Sequence, residues 1–596
     1  GKSVKVIPVR LGMVWGSMMT FHKGKMKFVR PHELPIPAGV MVGSELPHNL
    51  SGYELRQVLS KMSAEAEMEF RKGEVPIHYQ FMKLAKHRMF QHTFSDYEGA
   101  DLSNFSVLLR SLLLSRKIRT LLPENYDSEY IGVMLPNCSS CTITFFAILY
   151  ADKSPAVLNF SAGRQAIEMA AQSCGAKIIL TSKLFVRKLQ MEPLPGMVYL
   201  EDVAKEIPRS WKIGALLRTV LLPSWALIRQ TSPLTFMDLN HDAFLLFSSG
   251  STGKAKAVRL SHHNITSDFF SFWRIIGWTP KDRIIGNLPM FHSFGLMISF
   301  WCPAMSGTRV IYLANPLDGD AVGKIVEREH VTMMMATPTF LQMYMRKCTA
   351  EQLKTLRLTI TGGEKLRQDI AEKFHKLTDL AVVEGYGCTE LSPIVSVNLA
   401  SSMFELGKKA GKYGSIGVAM PGIAVKIVDP DTLVELPEDT PGLMLVRGAN
   451  VMKGYLNNEV GTSEVMIDGW YNTGDIAKMD VDGYITITGR LSRFSKISGE
   501  MVPHELVENK LQELLGDDER VIGVTSKSDE KRGERLIVFY STPSANVREL
   551  ISGLREANLP NLWIPKAEDF IKVDKIPLMG NGKLDLQKLK QMAQAL

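Results

Sequence analysis

The sequence has few of the features that mark membrane-spanning or disulfide-bonded proteins. Its 596 residues contain no uninterrupted apolar run of 18 residues, which argues against a membrane-spanning helix. Six cysteines over this length do not form a disulfide framework, which favours a reducing compartment. No signal peptide is visible, and because Gly1 stands in place of a Met, we expect that this is not the native start.

The residues that are present indicate a large globular protein. Hydrophobic residues make up 45% of the chain and charged residues 22%, both ordinary values for globular proteins. A chain of this length predicts two to four domains. Short apolar runs at residues 130–136, 154–160 and 175–181 alternate with helical patterns, which predicts an α/β fold with a mostly parallel sheet.

The formal net charge of +8 is unevenly distributed. Residues 1–30 contain seven Lys or Arg and no acid, so they either meet anionic lipid headgroups or phosphates or form a solvated surface. Residues 211–229 combine apolar side chains with Lys and Arg and are interrupted by Pro223. This pattern is typical of a helix that lies on a membrane surface, although packing into a core explains the apolar face equally well.

A loop rich in Ser, Thr and Gly carries the strongest chemical signal. It follows a predicted buried strand at residues 243–247, and its small side chains leave N–H groups and hydroxyls free to bind an anion. Lys254 and Lys256 add positive charge, so the loop suits a polyphosphate. It does not fit the Walker pattern G-x-x-x-x-G-K-[ST], and the alternative is a flexible Ser/Gly linker. The loop comprises Ser248, Ser249, Gly250, Ser251, Thr252 and Gly253.

Five motifs in order resemble those of the adenylate-forming superfamily, which includes acyl-CoA synthetases, luciferases and nonribosomal adenylation domains. They are FSSGSTGKAKAV at residues 247–258, GYGCTE at 385–390, YNTGD at 471–475, GRLSRFSKISGE at 489–500 and GNGKLD at 580–585. Ala255 and Ala257 stand where the superfamily usually has Pro and Gly, while Lys256 is retained. The resemblance implies a large domain of mixed sheets and helices, followed by a small mobile α+β lid domain.

The resemblance also implies a binding site for ATP and Mg²⁺. Tyr386 would stack on adenine, Asp475 and Arg490 would bind the ribose hydroxyls, and Glu390 would ligate Mg²⁺, which prefers oxygen ligands. The serine- and glycine-rich loop with Lys256 would hold the phosphates. The remaining implied nucleotide-binding residues are Gly363, Glu364, Gly385, Gly387, Thr389 and Lys583.

Catalytic and thiol-binding roles follow from the same resemblance. The implied catalytic residues are Lys583, Thr252, Lys256, His292 and Glu390. Lys583 would neutralise charge near the α-phosphate, and His292 would stand between the nucleotide and the acyl pocket. Arg493 is the implied hinge, and His292, Lys496, Gly499 and Glu500 are implied on the thiol side. Methionines at residues 333–335 line either a fatty-acyl tunnel or ordinary core.

The first 70 residues resemble the tail of a glycerophospholipid acyltransferase domain. That family's His-x-x-x-x-Asp motif is absent from residues 1–100, and we interpret the same spacing at His263 and Asp268 as coincidence. The resulting domain prediction is an acyltransferase remnant at 1–70, a linker at 71–101, a large AMP-binding domain at 102–490 and a lid at 491–596. We expect no acyltransferase chemistry from this chain.

The two resemblances together imply a bacterial family that joins an acyltransferase domain to an acyl-acyl-carrier-protein synthetase. The implied partners are a long-chain fatty acid, the pantetheine thiol of acyl carrier protein and a lysophospholipid, and no nucleic acid. The implied location is the cytoplasmic face of the bacterial inner membrane. A fatty acyl-CoA ligase is the alternative, and a catalytically silent membrane-binding module is the second alternative.

Overall fold

The computed structural model describes residues 5–12, 19–22, 25–28, 39–69, 74–249, 255–279, 281–399, 411–498, 500–516, 521–529, 532–543, 545–557, 559–578 and 584–596. The strands are β1 Val9–Gly12, β2 Met19–His22, β3 Lys25–Phe28, β4 Gly39–Val42, β5 Phe94–Asp96, β6 Asp101–Leu102, β7 Tyr130–Val133, β8 Ser154–Val157, β9 Ile179–Thr181, β10 Met197–Tyr199, β11 Asp242–Ser249, β12 Ala255–Ser261, β13 Arg283–Gly286, β14 Arg309–Tyr312, β15 Met333–Ala336, β16 Leu358–Thr361, β17 Val382–Gly387, β18 Ile394–Val397, β19 Val418–Ala419, β20 Ile423–Val428, β21 Gly442–Gly448, β22 Gly454–Tyr455, β23 Met466–Ile467, β24 Trp470–Met479, β25 Ile485–Arg490, β26 Phe494–Ile497, β27 Glu500–Pro503, β28 Ile522–Asp529, β29 Gly533–Tyr540 and β30 Phe570–Lys572.

The helices are α1 Gly52–Glu69, α2 Ile77–His87, α3 Asn104–Leu121, α4 Ser139–Tyr150, α5 Arg164–Ser173, α6 Lys183–Lys188, α7 Leu200–Lys205, α8 Arg209–Leu221, α9 Ser224–Thr231, α10 His262–Ile276, α11 Ser293–Leu296, α12 Cys302–Ser306, α13 Gly319–Glu329, α14 Pro338–Met345, α15 Ala350–Leu353, α16 Gln368–Thr378, α17 Glu459–Val465, α18 His504–Leu515, α19 Val547–Glu556 and α20 Leu586–Gln594. In the part of the chain that the structure describes, no helix is both long and apolar enough to cross a membrane.

Two large sheets form the body of the molecule. In the seven-stranded sheet, of order β10-β9-β7-β8-β11-β12-β22, pairing is parallel as far as β11 and antiparallel beyond it. In the nine-stranded sheet, of order β19-β18-β17-β16-β15-β13-β14-β5-β6, the strands from β17 to β5 pair in parallel. The predicted fold class, α/β with mixed sheets, is confirmed.

One aromatic-rich core lies between these sheets and helix α4. Every residue of α4 after Ser140 is buried, because the helix is covered on all sides. Phe145 and Phe146 of this helix pack against Phe300, with ring centroids 5.1 and 4.9 Å apart. Met333 and Met335 join this core, and Met334 faces a second core under the nine-stranded sheet. The three methionines are therefore ordinary core residues.

The predicted linker at residues 71–101 is wrong, because much of it lies inside the large domain. Helix α2 buries Phe81 and Met82 completely, and β5 is a member of the nine-stranded sheet. Phe81 stacks on Phe146 with 4.1 Å between ring centroids. Helix α2 was not recognised in the sequence, because it is only eleven residues long and spans about three turns.

A third, antiparallel sheet, of order β20-β21-β24-β23 with β25 beside β24, carries helix α1 on its surface. Ala64 of α1 is buried in the core of that sheet, and Glu67 forms an ion pair with Arg274 at 2.9 Å. Helix α1 therefore packs on this third sheet, although the resemblance assigned residues 1–70 to an acyltransferase remnant. The C-terminal sheet, of order β27-β26-β29-β28 with β30 beside β29, has its own core with α18 and α19.

Candidate active site

Glu390 lies where the two large sheets meet. It is in the short 3-10 turn Thr389–Leu391 that follows β17, and its side chain is almost fully buried. Its Oε1 accepts hydrogen bonds from Ser248 Oγ at 3.2 Å and from the Tyr455 hydroxyl at 3.0 Å. Both donors belong to the seven-stranded sheet, at the end of β11 and on β22. The carboxylate therefore joins the edges of two sheets at one point.

The surroundings of Glu390 fit a magnesium ion better than a zinc ion. Both hydrogen bonds are accepted by Oε1, so Oε2 is the oxygen that would take an ion. Within the described ranges, no group of three or more His, Cys, Asp or Glu side chains is arranged to hold a metal. Mg²⁺ commonly needs only one or two carboxylates, because phosphate oxygens and water complete its octahedral shell.

A second buried carboxylate, Asp475, comes from the third sheet. Its Oδ1 accepts from Arg490 Nε at 2.9 Å, and its Oδ2 accepts from the Tyr386 hydroxyl. Burial raises the pKa of the Asp475 carboxyl, while the Arg490 guanidinium opposes that rise. Burial and the neighbouring Asp475 raise the pKa of the Tyr386 phenol well above its usual value, so the phenol stays a donor.

Tyr386, Asp475 and Arg490 are thus brought together, as adenine and ribose recognition would require. Strands β24 and β25 pair with Asp475 directly opposite Arg490, which fixes their contact by register. Tyr386 is on β17, three residues before Thr389. The hydroxyl contact to Asp475 therefore places the implied adenine platform beside the implied ribose acceptor.

Strands β11 and β12, which flank the predicted polyphosphate loop in the sequence, pair as an antiparallel hairpin. In this hairpin Ser248 is paired with Lys256, so the lysine returns to the strand end that carries the serine. The Lys256 ammonium lies over the Tyr455 ring, 4.7 Å from its centroid, in a cation–π contact. Gly250, Ser251, Thr252 and Gly253 lie outside the described residues, as does the side chain of Ser249.

Two of the predicted glycines are required by the backbone. A Cβ at Gly387 would lie 1.8 Å from the Pro393 carbonyl oxygen, so no larger residue fits without moving the turn that carries Glu390. Gly363 has a φ of +82°, in the left-handed region that favours glycine. Gly385 pairs with Val397 across β17 and β18. Gly385 and Gly387 flank Tyr386 on β17, and their implied role in nucleotide binding stays a prediction.

Glu364 makes a contact that the sequence did not predict. Its Oε2 accepts from Thr339 Oγ1 at 2.6 Å, at the start of helix α14. A carboxylate at a helix N-terminus stabilises the exposed N–H groups there. The carboxylate thus holds α14 against the loop after β16, and its implied role in nucleotide binding stays a prediction.

His292 lies in an exposed position beside the Glu390 turn. Its ring is 4.6 Å from that of Phe291, and Phe291 is buried against Phe160. The next residue, Ser293, places its Oγ 3.3 Å from Thr389 Oγ1. The structure therefore places Thr389 and the Phe-His pair on neighbouring loops at one edge of the body.

Arg493 enters the C-terminal domain as one half of a buried ion pair. Its Nη2 donates to Glu508 Oε2 at 2.7 Å, and the side chains are only 9% and 3% exposed. His504 hydrogen-bonds Ser495 at 2.6 Å beside this pair. Burial, with Arg493 and Lys590 nearby, lowers the pKa of His504 to about 3. The sequence predicted that a hinge at position 493 needs backbone freedom more than a given side chain. The structure adds that the buried Glu508 carboxylate needs the positive charge of Arg493.

The predicted thiol side falls largely outside the described part of the chain. Lys496 and Glu500 lie on β26 and β27, but their side chains are not described, and Gly499 and Lys583 lie outside the described residues. Ile497 pairs with Glu500 across the turn between these strands. On the other flank of the C-terminal loop, Leu584 is buried and Asp585 caps α20. The roles of these four residues stay predictions.

With this geometry established, comparisons with known proteins identify the family. The family model described as "AMP-binding enzyme" matches residues 123–456, which is more than half of the chain. The chain belongs to the AMP-binding enzyme family. The matched region contains the seven-stranded sheet, every strand of the nine-stranded sheet except β5 and β6, and the Glu390 turn.

Individual relatives agree with this assignment. The chain is 30% identical over 360 residues to a long-chain-fatty-acid–CoA ligase of Escherichia coli O6:H1. That alignment covers 59% of this chain and 62% of the ligase. It is 28% identical over 510 residues to 4-coumarate–CoA ligase-like 9 of Arabidopsis thaliana, with 83% and 85% covered. The O-succinylbenzoate coenzyme A synthetase of Bacillus subtilis in complex with AMP superposes with a TM-score of 0.70 at 21% identity. That alignment covers 86% of this chain and 98% of the synthetase, and shows a shared fold.

Sequence reasoning about this AMP-binding enzyme missed several residues of the site. Tyr455 donates to Glu390 and underlies Lys256, yet it lies outside the motifs and resembles any strand tyrosine. Burial and the Glu390 carboxylate raise the pKa of its phenol. Glu508 and His504 beside the hinge were also missed, because their burial depends on how α18 packs.

The His263 and Asp268 pair has no shared chemistry in this structure. His263 Nδ1 is 3.1 Å from Glu74, whereas Asp268 Oδ2 accepts from the Ile394 amide at 3.2 Å. Both side chains are buried in the AMP-binding body. These separate partners support the interpretation of their spacing as coincidence.

Proposed function

We propose that this chain is an AMP-forming acid–thiol ligase that activates a long-chain fatty acid. The acid's carboxylate would attack the α-phosphorus of ATP, forming acyl-adenylate and releasing pyrophosphate. A thiol would then attack the acyl carbon, forming a thioester and releasing AMP. The observation that carries the proposal is the convergence of Glu390, Asp475 and their donors from three sheets on one edge.

In the first step the protein would mainly position charges. ATP with Mg²⁺ supplies the electrophile, and Glu390 Oε2 would hold the ion. Ser248 and Lys256, at the base of the hairpin, would face the leaving phosphates. Fixed donors and cations of this kind stabilise charge that develops in the transition state, because they need no reorganisation.

The pairing of Tyr386, Asp475 and Arg490 would orient the nucleoside. A carboxylate can accept from both ribose hydroxyls, and Arg490 holds it in place from the opposite strand. When a ribose binds, the Tyr386 hydroxyl would exchange its bond to Asp475 for one to the ligand or to water. The phenol ring would then be free to stack on adenine.

Coenzyme A is the thiol that we propose. The two relatives reported above are named as CoA ligases, and the E. coli relative is named for long-chain fatty acids. Acyl carrier protein is the second candidate, because the acyltransferase-like residues 1–70 and the adenylate-forming motifs together resemble the family that joins an acyltransferase to an acyl-carrier-protein synthetase. Both thiols end in the same pantetheine arm. Reacylation of a lysophospholipid would be a use of the product by a separate acyltransferase.

The test uses labelled palmitate and ATP in three parallel reactions, with CoA, with holo-acyl carrier protein and with neither. Thioester formed with CoA at more than about tenfold the carrier-protein rate supports the main proposal, and the reverse ratio supports the second candidate. Glu390→Gln should suppress both reactions. Glu372→Gln, an exposed acid on α16, is the matched control and should have no effect. Failure to form any thioester or AMP would favour a silent membrane-binding module.

A further inference from the structure

Helix α8 presents most of its apolar side chains to solvent. At 100° per residue, positions 213, 216, 217, 220 and 221 form one continuous stripe about 140° wide along the helix. A stripe of that width normally faces a protein core. The exposed residues, with their exposed fractions, are Ile213 61%, Leu216 42%, Leu217 53%, Val220 54% and Leu221 73%, followed by Trp225 60% on α9.

The opposite, narrower face of α8 attaches it to the protein. Trp211 lies under the Arg116 guanidinium of α3, 3.9 Å from the ring centroid, and Thr219 is buried. Lys86 of α2 donates to the carbonyl of Thr219 at 2.6 Å and to the carbonyl of Leu222 at the end of the helix. The helix is thus held at both ends, and its apolar stripe is displayed on a fixed platform.

Helix α9 continues the same surface after Pro223. Leu227 and Ile228 are fully buried in the large core and anchor this helix, while Trp225 points away from the core. The prediction that core packing explains the apolar residues at 211–229 therefore holds for Leu227 and Ile228, but not for the six exposed ones.

Positive charge borders the apolar stripe. Arg209, Lys212, Arg218 and Arg229 are all exposed, and residues 209–231 contain no acid. Lys212 and Arg218 flank the stripe on its two sides. Neither forms an ion pair with any residue that the structure describes. A second copy of this chain would bring like charges together across such a surface, which disfavours self-association.

We propose that α8 and the start of α9 form a docking surface for an anionic lipid bilayer. The apolar stripe would enter the boundary between headgroups and acyl chains, and the flanking Lys and Arg would contact anionic headgroups. Trp225 would lie at the interface, where an amphipathic ring is favoured. A ligase bound there would meet fatty acids where they dissolve, although the docking surface does not depend on the proposed function.

The test measures binding of the full chain to sucrose-loaded vesicles, without ATP or fatty acid. Vesicles of phosphatidylcholine with 30 mol% phosphatidylglycerol are compared with pure phosphatidylcholine, the fraction being chosen to give a strong negative surface potential, roughly that of an anionic leaflet. The combined substitutions Leu217→Gln, Val220→Gln and Leu221→Gln should lower the partition coefficient on the anionic vesicles by about tenfold or more. The matched control carries Val434→Gln, Val460→Gln and Val481→Gln. These valines are similarly exposed but lie outside α8 and α9, so the control should bind like the wild type.

A second measurement reports insertion directly. Lipids brominated on their acyl chains should quench tryptophan fluorescence of the bound protein, and Trp225→Phe should remove much of that quenching. Undiminished binding by the α8 variant would overturn the proposal and assign binding to another surface, such as the basic residues 1–30. Absence of wild-type binding would also overturn it. A dimer in sedimentation velocity that the α8 variant abolishes would show that a second copy covers this face.

Discussion

Charged groups are buried at the candidate active site, whereas apolar groups are exposed on α8, so the two regions depart from the usual distribution in opposite directions. Glu390, Asp475 and Arg493 each have a polar partner within 3.2 Å. Leu217, Leu221 and their neighbours face solvent on a helix whose ends are fixed. A buried charge lowers stability unless it is paired. An apolar stripe that stays exposed contributes none of the free energy that burial of apolar surface would give. The buried charges are paired within the protein, whereas the exposed stripe is what the proposed bilayer contact would cover.

The largest effect that we expect comes from breaking the buried pair at the hinge. Arg493→Ala would remove the Arg493 ion pair from the buried Glu508 carboxylate, and loss of one partner in such a pair costs about 3–5 kcal/mol. The unfolding free energy of the C-terminal domain, followed by urea denaturation, should fall accordingly. Arg164→Ala, which breaks an exposed pair with Glu192, should cost at most about 1 kcal/mol. Equal effects of the two substitutions would contradict the distinction between buried and exposed charge.

Removing the Glu390 carboxylate should mainly affect chemistry. Glu390→Gln keeps the side-chain shape and an oxygen for Ser248 and Tyr455, but it removes the negative charge that would hold Mg²⁺. We expect pyrophosphate release to slow by about 10²–10³-fold, or about 3–4 kcal/mol in transition-state free energy, with little change in unfolding free energy. A variant that unfolds, or one that keeps full activity, would assign Glu390 a purely structural role.

The third prediction concerns pH. His504 has a pKa of about 3 in the folded protein, against about 6.5 when unperturbed. Between these values the unfolded chain binds the proton more readily, so the unfolding free energy should fall as pH is lowered from about 6.5, by up to about 1.4 kcal/mol per pH unit. His78, whose pKa burial also lowers to about 3, acts in the same direction. His504→Gln should therefore reduce this pH dependence in the C-terminal domain without abolishing it in the large domain.

The two regions should respond differently to that pH change. Residues 209–231 contain no histidine, so the part of vesicle binding that depends on α8 should stay constant between pH 6 and pH 8. The relevant quantity is the difference in partition between the wild type and the α8 variant. A difference that changes strongly over this range would show that a titrating group elsewhere controls binding.

The smallest effect should come from α8 substitutions on stability. Leu217→Gln and Val220→Gln replace side chains that are already more than half exposed, so each should change the unfolding free energy by no more than about 0.5 kcal/mol. Ligase activity with detergent-dispersed palmitate should equal that of the wild type. A large loss of stability would show that the stripe packs against protein in solution.

The sequence predicted the residues of the site better than the contacts that those residues make. Motifs located Ser248, Tyr386, Glu390, Asp475 and Arg490, and the structure brings these residues to one edge of the fold. Their partners were not predictable, because the contact of Tyr455 with Glu390 depends on pairing between strands far apart in sequence. The same reason hid the burial of residues 77–96, whose core contacts lie in helix α4 and strand β14.

Exposure was the other property that the sequence left open. For residues 211–229 the helical pattern allowed both a core and a surface interpretation, since periodicity shows which side chains share a face but not what that face meets. The structure shows that Leu227 and Ile228 are buried, whereas Leu221 and Trp225 are exposed. Whether the apolar face of a helix is buried or exposed can be seen only once its packing against the rest of the protein is known.

The most direct test of the account is a single-turnover reaction without any thiol. Enzyme in excess over carboxyl-labelled palmitate is mixed with ATP and Mg²⁺ and quenched with acid, and the products are separated. The account predicts palmitoyl-adenylate and pyrophosphate in equal amounts, close to one per enzyme-bound palmitate, and their loss in Glu390→Gln. Formation of ADP and phosphate, or no labelled adenylate from the wild-type protein, would contradict acid activation at this site.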